Sequence, residues 1–123
     1  MAFIDANYIL RYLLRDNERQ FLLSREVIEN QKIVLTDFIF AEVIYVLEKV
    51  YLIPRDVIKS TLEDLIHYQN LKMVNKSAIL ESLKIYSEER IDFSDSSLIA
   101  YHNSSANAKM HTFDKRILKI ISK

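Results

Sequence analysis

The 123-residue sequence predicts an α/β fold: one domain with a mainly parallel central sheet of four or five strands, flanked by helices on both faces. Three observations predict it. Short apolar runs alternate with segments whose apolar residues recur at helical spacing, the order that gives parallel strands joined by right-handed helical crossovers. Half of the residues are hydrophobic, enough at this length to bury a core without staples. No linker, low-complexity tract or repeat divides the chain, and its only proline, Pro54, stands where a helix would begin, so residues 1–123 read as a single domain.

Each element has its own signal. Ala2-Phe3-Ile4 reads as a short buried strand ending at Asp5, and Ile9, Leu10, Leu13 and Leu14 mark a helix from about Asn7 to Leu14. A second helix covers Arg19 to Glu29. Lys32-Ile33-Val34-Leu35 is the next strand, and Thr36 is a good N-cap for a long helix reaching about Tyr51. Pro54 opens a helix to about His67. Leu71-Lys72-Met73-Val74 is a weaker strand, followed by a helix from Ser77 to Glu89 with Ile79, Leu80, Leu83 and Tyr86 on one face. Asp92 is placed to cap a helix from Phe93 to about Ser104. Lys109-Met110-His111-Thr112 is read as the last strand, and Lys115 to Ile121 as a closing helix capped by Asp114.

Composition narrows the function classes. Seventeen basic residues balance seventeen acidic ones, so the global field does not announce a polyanion partner, although residues 109–123 hold five cations against Asp114 alone. The absence of cysteine excludes disulfides, thiolate zinc sites and cysteine nucleophiles, and fits a reducing cytosol. Met1 to Asp5 has no basic segment before an apolar stretch, and Phe38 to Val50 is interrupted by Glu42 and Glu48. A cytoplasmic protein without a membrane span is therefore expected. His67, His102 and His111 lack metal-ligand spacing, and without glycine no nucleophile elbow can form.

The acids carry the chemistry. In open parallel sheets, ligands gather beyond the carboxyl ends of strands, where Asp5 and Asp114 are both expected, although each alone also reads as an N-cap. Glu42 has Phe38, Ile39, Tyr45 and Val46 one turn away, so a largely buried face is expected to carry a carboxylate that is compensated by a basic partner, by a side chain reaching the helix edge, or by a metal ion. Asp92 and Asp95 lie three apart at a helix start. Asp92 suits capping, whereas Asp95 shares its face with Leu98 and Ile99 and is the one assigned to chemistry. Should Asp5, Glu42, Asp95 and Asp114 meet, their repulsion calls for a hard cation, and all-oxygen ligands select Mg²⁺ or Mn²⁺. Such an ion suits phosphodiester hydrolysis.

The order and setting of these acids resemble the PIN-domain family over essentially the full chain. Phe3-Ile4-Asp5-Ala6-Asn7 resembles its opening strand, Ile39-Phe40-Ala41-Glu42-Val43-Ile44-Tyr45-Val46-Leu47 its glutamate helix, and Ile91 to Ala100 with Thr112-Phe113-Asp114-Lys115 its remaining acids. The resemblance implies a metal-binding and catalytic quartet of Asp5, Glu42, Asp95 and Asp114, supported by Asn7, Asp92 and Thr112, with Mg²⁺ or Mn²⁺ as cofactor. The resemblance further implies a VapC-type toxin: an endoribonuclease that cleaves structured RNA, dimerises and is held inactive by a VapB antitoxin. Arg11, Lys115 and Arg116 are candidate contacts to RNA phosphates. Apolar helices around Tyr45, Leu47, Val50, Leu52 and Leu62 are the expected dimer surface, and Arg11 and Arg15 would meet an acidic antitoxin segment.

Alternatives are a catalytically silent RNA-binding or dimer scaffold, and an RNA-processing nuclease without an antitoxin. A haloacid-dehalogenase-like phosphatase is disfavoured, because Asp5-Ala6-Asn7 lacks the second aspartate of that chemistry. The missing glycines matter locally: Asn107 accepts a left-handed backbone, whereas Leu52 would be strained in one.

Overall fold

The computed structural model describes all 123 residues and divides the chain into two compact units, Met1–Val74 and Asn75–Lys123. The first unit runs β1 (Ala2–Phe3), α1 (Ala6–Leu14), α2 (Glu18–Asn30), β2 (Ile33–Val34), α3 (Asp37–Lys49), α4 (Arg55–Ile66) and β3 (Leu71–Lys72). The second holds α5 (Lys76–Glu89), α6 (Phe93–Ser104) and α7 (Lys115–Ile121). No helix is long and apolar enough to cross a membrane.

The sheet is parallel, in the order β1-β2-β3, with Ala2 opposite Ile33 and Ile33 opposite Leu71. Its central strand is the most apolar, and Ile33 and Leu35 are fully buried. The ladder is anchored where Ala2 N–H donates to the Lys32 carbonyl, Ile33 N–H to Asn70 and Leu35 N–H to Lys72, each at 2.9 Å. Helix starts follow the side-chain chemistry: Asp5, Asn17, Thr36, Asn75 and Asp114 each accept a backbone N–H from the first turn that follows.

Three strands form, not the expected four or five. Lys109–Thr112 is irregular and makes no ladder. The run has a single large apolar side chain, Met110, and this packs against the core of Ile85, Ile91, Ile99, Ala100 and Ile117 contributed by the second unit. One anchored side chain does not supply the period-two apolar face that commits a segment to a sheet. Tyr86 and Phe93 extend the same unit's packing, edge to face at 6.0 Å between ring centroids.

Without glycine, four other residues take the left-handed backbone: Arg15, Leu52, Arg90 and Asn107, at φ of 54, 55, 54 and 62°. Arg15 and Arg90 end α1 and α5 in that conformation. Asn107 and Leu52 are the positions read from sequence. At Leu52 the conformation carries a steric cost of roughly 1–2 kcal/mol.

Candidate functional site

Asp5 stands one residue beyond Ile4 and serves as the N-cap of α1, where its Oδ1 accepts the Tyr8 N–H at 3.0 Å. The cap occupies that one oxygen. Asp5 is exposed, and together with Asn7, Arg11, Glu42 and Tyr51 it lines an open cavity of about 290 Å³. Capping leaves the other Asp5 oxygen open to a further partner, because a carboxylate has two oxygens and several lone pairs.

Glu42 shares that cavity for a reason other than the expected one. Its helical neighbours Phe38 and Tyr45 are 79% and 63% exposed, and Glu42 itself is exposed; α3 buries Phe40, Val43, Ile44 and Leu47 instead. The expectation of a buried carboxylate is thereby corrected. The apolar run on α3 extends around most of the helix, so apolar neighbours did not define the inward face. No basic side chain pairs with Glu42, which leaves both of its oxygens available.

Arg11 borders the same cavity and is firmly held. Its Nη1 donates to both Asp16 oxygens at 2.9 and 2.8 Å, and its Nη2 donates to the Tyr51 hydroxyl at 3.2 Å. These partners favour its charged form, while its buried Nε has no partner.

In the second unit, Asp95 senses the charge of Asp114. Partial burial first, then the Asp114 and Asp92 charges, push the Asp95 carboxyl upward, and Arg116 opposes them. Asp114 is held below the usual carboxylate range, chiefly by the Ile117 N–H and also by the Arg116 N–H, which donate to its Oδ1 at 3.3 and 2.8 Å. Thr112 positions it from the other side, since Thr112 Oγ1 accepts the Asp114 N–H at 3.0 Å. Arg116 Nη2 lies 3.5 Å from Asp114 Oδ2, and Lys115 is exposed and unpaired.

Asp92 precedes α6 as expected, but its side chain makes no cap hydrogen bond. Its carbonyl instead accepts both the N–H and the hydroxyl of the fully buried Ser96, at 2.9 and 3.0 Å. The Asp92 carboxylate, engaged in no cap, acts on Asp95 as a charge.

The acids thus form two pairs, Asp5 with Glu42 and Asp95 with Asp114, and no group of three or more His, Asp or Glu side chains is gathered to hold an ion. Two carboxylates with retained waters nevertheless fit Mg²⁺ or Mn²⁺, which commonly take one or two protein carboxylates and complete their shell with water and phosphate. The repulsion felt by Asp95 is the electrostatic counterpart of that fit.

A second cavity, of about 330 Å³, adjoins Asp5, Asn7 and Arg11 and continues along Tyr8, Arg19, Gln20, Leu23 and Ser24. Sequence reading placed the second helix but assigned none of its residues to the site. The available signal was the four-residue spacing of Arg19 with Leu23 and Gln20 with Ser24, which puts each pair on one side of a helix. Of the expected dimer residues, Tyr45, Val50 and Leu52 are exposed, whereas Leu47 and Leu62 belong to the core, at 2% and 0% exposure.

The family model described as PIN domain matches residues 2–122, nearly the whole chain. No curated protein and no solved structure matches it.

Proposed function

The chain belongs to the PIN domain family, which has a nuclease fold, and from that premise we propose that it is a Mg²⁺- or Mn²⁺-dependent endoribonuclease, the toxin of a VapBC-type toxin–antitoxin pair. The observation that carries the reading is the shared cavity of Asp5 and Glu42, two carboxylates with oxygens free of any protein cation. Asp95 and Asp114, carried by the second unit, are proposed as metal ligands as well. When bound, the ion supplies acidification of water and neutralisation of charge on the scissile phosphate.

The chain's own residues do the rest. The Tyr8 N–H fixes the rotamer of Asp5, and the first-turn amides of α7 fix that of Asp114, whose backbone N–H is held by the Thr112 hydroxyl oxygen, so neither carboxylate must be ordered when substrate arrives. Asn7 offers a neutral amide beside Asp5. Lys115 and Arg116 are exposed cations beside Asp114 and serve flanking phosphates; Arg11 does so only through the edge that Asp16 and Tyr51 leave open. A homodimer would use the exposed Tyr45, Val50 and Leu52, and a VapB-type antitoxin would approach the basic side chains of Arg11 and Arg15.

Cleavage of total cellular RNA tests the reading. Wild type with Mn²⁺ is expected to cut, and Asp95→Ala or chelator to reduce the rate at least about 100-fold, the scale set by loss of charge stabilisation at a reacting phosphate. Undiminished cleavage in either arm would contradict it. One observation favours the silent scaffold instead, namely that the carboxylates come in pairs and not in a larger group. That reading predicts RNA binding with no metal-dependent cleavage.

A further inference from the structure

We propose that the cavity between α1 and α2 is a nucleobase pocket, which receives one unpaired base of the RNA strand next to the phosphate that the proposed cation at Asp5 and Glu42 would hold. The inference rests on the nuclease reading and adds the element that would read sequence.

Three observations carry it. The pocket and the Asp5–Glu42 cavity share Asp5, Asn7 and Arg11, so a nucleotide with its phosphate in one has its base beside the other. At about 330 Å³ the pocket lies near the lower end of small-molecule sites, suited to a single base and not to a length of peptide. Its lining includes Ser24, which is 2% exposed, yet whose hydroxyl meets no partner within the protein. That hydroxyl lines the cavity and is open to bond with what enters it.

The chemistry of the walls suits a base. Ser24 and Gln20 each both donate and accept, the capacity needed to pair with a base edge, and the Gln20 amide is free because only its backbone N–H is engaged, by Asn17 Oδ1 at 3.0 Å. Tyr8 and Leu23 give a ring and an apolar surface for the base faces. Arg19 is exposed at the same pocket, placed for a backbone phosphate. Asp5 at the shared border turns away an acidic peptide side chain but not a neutral base.

Fluorescence anisotropy of 2′-O-methyl tetranucleotides, which resist cleavage, tests the pocket on the full chain with Mn²⁺, using the A, C, G and U homopolymers as separate probes. Wild type is expected to favour one base. Gln20→Ala should weaken that favoured complex about tenfold, the scale of one hydrogen bond left unmade, while changing the other three little. Leu23→Trp, at a half-exposed position, fills the cavity and should flatten the preference too, with circular dichroism confirming that both variants fold. Equal affinity for all four probes in wild type, no binding at all, or unchanged affinities in both variants would overturn the pocket. So would saturable binding of a polyglutamate peptide that Leu23→Trp blocks. Metal-dependent cleavage is scored separately with Asp5→Asn: cleavage with an unaltered base preference in Gln20→Ala removes the pocket alone, whereas its absence removes the nuclease reading.

Discussion

Asp95 shows most directly how one side chain registers the site. Its carboxyl is pushed up, so the native state holds its proton more tightly than the unfolded chain does. The contribution to stability is then complete below the ordinary carboxylate range and is lost as pH rises through the raised native value. In chelator, Asp95→Asn should therefore be more stable than wild type at neutral pH, with the difference closing as the solution is acidified; urea denaturation at several pH values measures it. A variant that is less stable at neutral pH would mean that Asp95 serves packing and not chemistry. Leu52 carries strain of another kind, a left-handed backbone at a residue that buries little of its side chain. Leu52→Gly should raise stability by about 0.5–1 kcal/mol, the relief less the added chain entropy, seen as a higher urea midpoint at unchanged slope.

At the scale of elements, the amide protons distinguish true strands from irregular chain. The Ile33 and Leu35 amides are bonded across the sheet and should exchange slowly, whereas those of Met110 and His111 have no ladder partner and should exchange fast. Comparable protection at Met110 and Ile33 would show that the fourth strand forms after all. Sequence made the helices legible because their signals are local: Thr36, Asp114 and Pro54 mark starts that depend only on the residues just after them. It was less reliable for pairing, which depends on a partner distant in the chain. Lys109–Thr112 looks like a strand, yet Met110 is committed to the α5–α7 core. The inward face of α3 was missed because Phe38 and Tyr45 are as apolar as the residues beneath them, and only packing shows that they are exposed.

For the whole molecule, the four acids that the sequence singled out are carried two and two by the units Met1–Val74 and Asn75–Lys123. They stood out because each follows a strand-like run or sits in the first half of a helix with a recognisable neighbourhood. The cavity along Arg19, Gln20 and Ser24 did not, since nothing in a helix's own periodicity says which polar side borders another element. With a formal net charge of zero, the proposed recognition of RNA falls to local groups, so binding should depend on Lys115, Arg116 and the proposed cation more than on a long-range field.

The central claim is that these carboxylates bind a hard divalent cation. Isothermal titration with Mn²⁺ addresses it without reference to any substrate, and Asp5→Asn is a clean probe because asparagine still caps a helix while removing the charge. Saturable binding by wild type that is reduced in both Asp5→Asn and Asp95→Asn is the predicted result; heats equal to wild type in the two variants would contradict the account.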